Sequence, residues 1–300
     1  MSAVAHRSGF ACFVGRPNTG KSTLTNALVG QKVAIATDRP QTTRHAIRGI
    51  VHRPDAQLVL VDTPGLHKPR TLLGERLNDI VRGTLAEVDV IGLCIPANEA
   101  VGPGDRFIAQ QLKNIAGRTP VIAIVTKSDL VSDRQQMAAQ LMAVNALGSW
   151  AEVVPVSAVT DDQTELLRDL FIARLPEGPP LYVDGELTDE PEMMMVAELI
   201  RETAIEGVFD ELPHSINVVI EEMAPRPGKD LVDISAVLYV ERDSQKGIII
   251  GTGGARLREV GTEARHKIEA LLGSRVYLDL RVKIAKDWQR DPKQLRRMGF

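Results

Sequence analysis

The 300-residue sequence predicts two domains in series, an α/β domain with a doubly wound, mostly parallel sheet and then a smaller α+β domain. Three observations carry this. Six apolar runs (GFACFVG, HAIRGIVHR, QLVLVDTPG, DVIGLCIPA, TPVIAIVTK and AEVVPVSA) alternate with amphipathic stretches up to about residue 175. Several are apolar on both faces, which a parallel sheet buried between helices requires. PEGPPLYVDGELTDEPE, residues 176–192, then gathers four prolines, two glycines and a cluster of acids, marking a boundary. Beyond it the strict alternation stops. The expected division is 1–178, a linker at 179–192, and 193–300.

Between the six strands, helical periodicity predicts helices near 21–29, 71–85, 104–116, 132–147 and 162–175. After the boundary come a helix at 193–207, strands near 214–223 and 231–242, a glycine loop, a helix at 255–272, a strand at 275–285 and a short helix near 293–298. The glycine loop is read as joining a strand to a helix, with Ile248, Ile249 and Ile250 leading into it.

A hydrophobic fraction of 44% and a charged fraction of 25% are those of ordinary globular proteins. Cys12 and Cys94 each lie in an apolar run and read as reduced, buried thiols. No apolar run approaches the ~18 residues needed to span a bilayer. The start, MSAVAHRSGFACFVG, offers no signal-peptide core, so a cytoplasmic location is expected, with peripheral membrane contact left open. The net charge of −3 conceals a split: residues 246–300 carry 13 Lys and Arg against 6 Asp and Glu. A basic end on an acidic body suits a polyanionic partner, or is simply a solvated face.

Residues 15–22, GRPNTGKS, fit G-x-x-x-x-G-K-[ST] between an apolar run and a helix start. Such a loop wraps phosphates with backbone N–H groups at a helix N-terminus. Gly15, Asn18, Thr19, Gly20, Lys21, Ser22 and Thr23 are its nucleotide-binding candidates, Lys21 reaching the β- and γ-phosphates and Ser22 ligating Mg²⁺. Asp62 ends a strand and opens DTPG. There its carboxylate suits the Mg²⁺ shell, and the Gly65 N–H suits a γ-phosphate. PQTTRH supplies Thr42 and Thr43, one of whose hydroxyls completes the metal shell. TPVIAIVTKSDL places Thr126, Lys127 and Asp129 at a strand end. A carboxylate there accepts from guanine N1–H and the 2-amino group, which adenine lacks. Lys127 packs along the base, and the Ser157-Ala158 backbone donates to guanine O6. Taken alone, Asp129 reads first as a helix cap or turn residue, and DTPG is merely a turn.

In this order and spacing the elements resemble the GTPase series of phosphate loop, switch threonine, DTPG, [NT]KxD and SA, over most of residues 10–175. The resemblance implies GTP/GDP and Mg²⁺ as ligands. It also implies slow intrinsic hydrolysis of GTP to GDP and phosphate, with Lys21, Thr43, Gly65 and Asn18 as catalytic groups and Ser22, Thr43 and Asp62 as metal ligands. Thr43 is preferred to Thr42 because its place before arginine is similar to a TTR switch motif. Two residues depart from the pattern. Thr126 replaces the usual asparagine and is expected to support the phosphate loop less well. Leu66 stands where Ras-like switches carry a water-orienting glutamine, and an apolar side chain cannot polarise water. Asn18 has two readings: a K⁺ ligand beside the phosphates, as in GTPases with this asparagine, or a residue that stabilises its own loop.

Gly251-Thr252-Gly253-Gly254 is a G-x-x-G without the Lys-Ser pair of a nucleotide loop. With a basic helix after it and few aromatics, 4% of residues, it resembles the clamp of a type II KH domain, which grips single-stranded nucleic acid. Lys246, Ile250, Gly251, Thr252, Gly253, Gly254, Arg256 and Arg258 are the RNA-binding candidates. For each arginine, ordinary surface charge is the competing reading. His67 reads as a solvated side chain or a switch contact, and Trp288 and Phe300 as packing residues in preference to RNA contacts.

A P-loop GTPase domain followed by one type II KH domain is the architecture of the Era family. GRPNTGKSTLTNALVG, PQTTRH, VDTPGLHKP and LDLRVKIAKDWQRDP…LRRMGF extend that resemblance over essentially the whole chain. It implies a monomeric bacterial ribosome-assembly factor that binds the 3′ end of 16S rRNA and assists 30S assembly and rRNA maturation. GTP binding would favour RNA engagement and hydrolysis would permit release, with peripheral inner-membrane contact in some members. The alternative is a nucleotide-gated RNA-binding module with little or no turnover, in which Leu66 and Thr126 mark lost catalysis.

Overall fold

The computed structural model describes residues 5–36, 43–115, 117–208 and 212–300, so that Thr42 lies outside the described residues. The chain divides into two compact units, 1–69 with 77–189, and 70–76 with 190–300.

In the first unit the elements run β1 (Arg7–Val14), α1 (Lys21–Val29), β2 (Ile47–Arg53), β3 (Ala56–Asp62), α2 (Leu72–Glu87), β4 (Val90–Pro96), α3 (Pro103–Ile115), β5 (Val121–Thr126), α4 (Arg134–Asn145), β6 (Glu152–Val156) and α5 (Thr164–Ile172). The six strands form one sheet in the order β2-β3-β1-β4-β5-β6. Only β2, against β3, runs antiparallel in it. Every residue of β3 and β4 is buried, because helices cover both faces. On one face Cys12, Val14, Ile91 and Leu93 pack with Val81 and Leu85 of α2 and Ile108 of α3. On the other, Ala11, Phe13 and Cys94 pack with Leu24 and Leu28 of α1 and Phe171 of α5. The two cysteines therefore sit in different layers as free thiols, and burial pushes both above the ordinary thiol range. Since the parallel strands share one direction, the loops after β1, β3, β5 and β6 all emerge at one sheet edge.

The stretch expected as a linker is bound to the first unit over much of its length. Gln57, 2% exposed on β3, accepts from the Leu181 and Tyr182 N–H groups at 2.6 and 2.8 Å and donates to the Tyr182 carbonyl at 3.0 Å. Ile50 N–H on β2 donates to the Leu187 carbonyl at 2.9 Å. Residues 179–189 thus act as a strap along an edge strand, satisfying backbone groups that would otherwise face solvent. Proline and glycine content suggested a break in structure; here those residues shape an extended segment with no helix or strand of its own.

The second unit contains α6 (Glu192–Ile205), α7 (Leu212–Ser215), β7 (Asn217–Pro225), β8 (Val232–Val240), α8 (Asp243–Ile250), α9 (Ala255–Leu272), β9 (Val276–Ile284) and α10 (Pro292–Arg297). Its sheet has the order β7-β8-β9, with β7 and β8 antiparallel and β8 and β9 parallel. The expected strand into the glycine loop is corrected: β8 stops at Val240, and Ile248–Ile250 close helix α8. A run of three isoleucines favours a strand by propensity. Capping overrides it, because Gln245 Oε1 accepts from the Glu241 and Arg242 N–H groups at 2.9 and 3.1 Å. Burial then follows a helical face, with Ile249 fully buried and Ile248 53% exposed. Trp288 is fully buried, donates from Nε1 to the Ser215 carbonyl at 3.0 Å and stacks on Phe300, a packing role as expected. No described helix is long and apolar enough to cross a membrane.

Candidate functional site

The phosphate loop leaves β1 at Val14 and enters α1 at Lys21. Lys21 is 6% exposed, and its Nζ donates to the loop's own carbonyls, Gly15 at 3.3 Å and Arg16 at 2.9 Å. Burial lowers its pKa, against the pull of Asp62. These carbonyl contacts are exchangeable, so the ammonium is held ready for a stronger acceptor such as phosphate oxygen. Asn18 is exposed at φ +63° in the same loop.

The three expected metal ligands converge. Ser22 Oγ donates to Asp62 Oδ2 at 2.7 Å, Thr43 Oγ1 donates to the same oxygen at 3.2 Å, and the two hydroxyls are 2.9 Å apart. Asp62 is fully buried, and its Oδ1 has no hydrogen-bond partner. Burial raises the carboxyl pKa, while the Ser22 hydroxyl, Lys21 and Thr43 oppose the rise. Two hydroxyls beside a carboxylate that keeps an unmet buried oxygen make a set of hard oxygen donors that fits a divalent cation.

The DTPG segment lies against this loop. Thr63 Oγ1 donates to the Phe13 carbonyl at 2.7 Å, and Leu66 N–H to the Gly15 carbonyl at 3.1 Å. A Cβ at Gly65 would stand 2.8 Å from the Pro17 nitrogen, so only glycine fits this approach. Leu66 is 6% exposed and packs into the core, consistent with its having no water-orienting role.

At the end expected to recognise the base, Asp129 Oδ1 accepts from Ser157 Oγ at 2.6 Å, which orients the carboxylate. Lys127 lies at φ +57°, and Ala158 follows Ser157 just after β6. Thr126, expected to support the phosphate loop less well than asparagine, is 5% exposed and donates from Oγ1 to the Thr19 carbonyl at 2.7 Å, so a single hydroxyl tethers the loop here. Sequence reasoning missed Arg16 and Asp105. Arg16 Nε donates to Asp105 Oδ1 at 2.8 Å and its NH2 to Glu99 at 2.9 Å, fastening the phosphate loop to the start of α3. Only an acid in the first turn of that helix hinted at it.

In the second unit Gly251, Gly253 and Gly254 take φ values of +70°, +58° and +77°, so the G-x-x-G is an exposed turn between α8 and α9. A Cβ at Gly251 would meet the Arg256 Cβ at 2.9 Å. Arg258 is exposed, Lys246 and Ile250 are half-buried, and Thr252 and Gly253 are exposed. The Arg256 guanidinium turns inward and donates to the Glu206 carbonyl at the end of α6. No cluster of three or more His, Cys, Asp or Glu that could hold a metal occurs among the described residues.

Comparison with known proteins agrees with this geometry. Residues 10–127 match the 50S ribosome-binding GTPase family, and residues 211–289 match the KH domain family. The chain is 69% identical to GTPase Era of Streptomyces coelicolor, covering 98% of this chain and 95% of that protein. It is 68% identical to GTPase Era of Mycolicibacterium smegmatis, covering 98% and 99%. Among solved structures it matches a point variant of Aquifex aeolicus Era bound to GDP·AlF₄⁻ with a TM-score of 0.93 at 35% identity, over 98% of this chain and 99% of that one. An Era complex with MgGDPNP and nucleotides 1506–1542 of 16S ribosomal RNA gives the same TM-score, identity and coverage.

Proposed function

The chain belongs to the Era family of GTPases, and from that premise we propose that it binds the 3′ end of 16S rRNA under nucleotide control and assists assembly of the small ribosomal subunit. The observation that supports it best is the convergence of Ser22, Thr43 and Asp62 beside the phosphate loop in one unit, paired with an exposed G-x-x-G turn in the other. The related Era that holds MgGDPNP together with a 16S fragment links the two ligands in one protein.

Ser22, Thr43 and Asp62 hold Mg²⁺ in this reading, Asp62 Oδ1 gaining the partner it lacks. When bound, the cation neutralises charge on the β- and γ-oxygens. Lys21 leaves the Gly15 and Arg16 carbonyls for phosphate oxygen, and the Gly65 N–H meets the γ-phosphate. Loss of that phosphate frees the loops carrying Thr43 and Gly65. Asp129 and Ser157 select guanine. Asn18 would ligate K⁺ beside the phosphates, which would supply charge there that Leu66 does not. At the G-x-x-G, backbone N–H groups and Arg258 meet RNA phosphates. Arg256 braces the loop from behind through its bond to α6.

The test is binding of a 16S 3′-terminal oligonucleotide to the protein loaded with GDPNP, GDP or nothing, with Gly253→Asp as control. Tight binding with GDPNP, weaker with GDP and lost in the variant, supports the reading. Binding indifferent to both would remove it.

A further inference from the structure

Asn78 stands on α2, outside every role assigned above. Its side chain is 4% exposed, its Nδ2 donates to the His67 carbonyl at 2.8 Å, and its Oδ1 is buried without a partner. An unmet buried amide oxygen costs stability that an apolar side chain of similar size would not. Stability alone does not explain an asparagine here.

His67 carries the connection onward. Its Nδ1 is 3.0 Å from the Gly65 carbonyl, and because a carbonyl only accepts, Nδ1 holds the hydrogen. On the other side Leu66 N–H binds the Gly15 carbonyl at 3.1 Å. Gly65 is therefore gripped from the phosphate loop and, through His67 and Asn78, from α2. The grip from α2 is the weaker-seated one, because it leaves Oδ1 unsatisfied.

We propose that Asn78 is a positioning residue for GTP hydrolysis: through His67 it sets where the Gly65 N–H stands toward the γ-phosphate. The strain of its unmet oxygen keeps this arrangement easy to leave, as a switch requires. The inference rests on the reading of Gly65 as the γ-phosphate contact.

Asn78→Leu removes both the donor and the unmet oxygen. The lost unmet oxygen and the His67 carbonyl left without its donor offset each other, so the expected result is a melting temperature without nucleotide within about 2–4 °C of the parent and GDP affinity changed by less than about twofold, with single-turnover hydrolysis slowed about tenfold. Adding His67→Ala to Asn78→Leu should slow it little further, since both act through one connection. Unchanged hydrolysis, or a parallel fall in melting temperature, GDP affinity and hydrolysis, would overturn the proposal and leave Asn78 a packing residue. Gly65→Ala separates the two layers of argument. If it alters discrimination between GDPNP and GDP while Asn78→Leu leaves hydrolysis unchanged, only the positioning role fails. If it leaves discrimination intact, the reading of Gly65 fails and the proposal with it.

Discussion

Thr126→Val is the substitution that most directly tests how the phosphate loop is held. Valine keeps the shape of threonine and deletes one hydroxyl, the one that donates to the Thr19 carbonyl at 2.7 Å. Thr126 is 5% exposed and Thr19 1%, so water cannot replace the lost bond. A buried acceptor left unpaired costs about 1–3 kcal/mol. At 1.4 kcal/mol per factor of ten, that corresponds to roughly 5- to 150-fold in an equilibrium constant. Where the cost is felt depends on when the loop can relax. Without nucleotide the loop can shift and recover part of it, whereas a bound diphosphate fixes the Thr19 backbone. Most of the loss should therefore fall on binding. Fluorescent GDP and GDPNP titrations should show affinity lower by about ten- to a hundredfold for both nucleotides, while the melting temperature without nucleotide moves by no more than about 2–4 °C. Thr126→Asn, restoring a donor of longer reach, should recover much of the affinity. Affinity within twofold of the parent together with an unchanged melting temperature would refute the reasoning, because the bond would then carry no free energy in either state.

Ser157→Ala deletes the 2.6 Å hydrogen bond to Asp129, a charge-assisted contact worth about 1.5–3 kcal/mol, so guanine nucleotides should bind about tenfold or more weakly in competition titrations. Asp105→Ala releases Arg16 from its 2.8 Å partner. Because Arg16 is partly solvated and keeps Glu99, the expected cost is about 1 kcal/mol, read as a small fall in melting temperature and faster nucleotide release. For pH, burial raises the Asp62 carboxyl, so folding without metal takes up a proton there. Its contribution favours the metal-free protein as pH falls through the raised value and is lost as pH rises through it. Mg²⁺ needs the ionised form, so Mg²⁺ affinity measured by calorimetry should weaken over that same acidification, and a pH-independent affinity would contradict the placement of Asp62 in the metal shell.

Much of this protein is local enough to be legible in the sequence. The six apolar runs and the helices between them recur in the structure within a few residues, because burial on two faces dictates composition at each position. The phosphate loop and DTPG are also short-range features, whose glycines are required by the backbone geometry they adopt. Tertiary structure alone decided the rest. Thr126 reaches Thr19, 107 residues away in sequence, because β5 and β1 end at the same sheet edge, and no local pattern encodes that distance. Arg16 and Asp105 are 89 residues apart, and the strap meets Gln57 across more than a hundred. Ile248–Ile250 became helical because Gln245 capped the chain there and only one face of the run could enter the core. Asn78 looks like any polar residue of an amphipathic helix until folding turns it inward to His67. Periodicity records which side of an element is buried; which groups then meet is settled by where the packed elements bring their ends together.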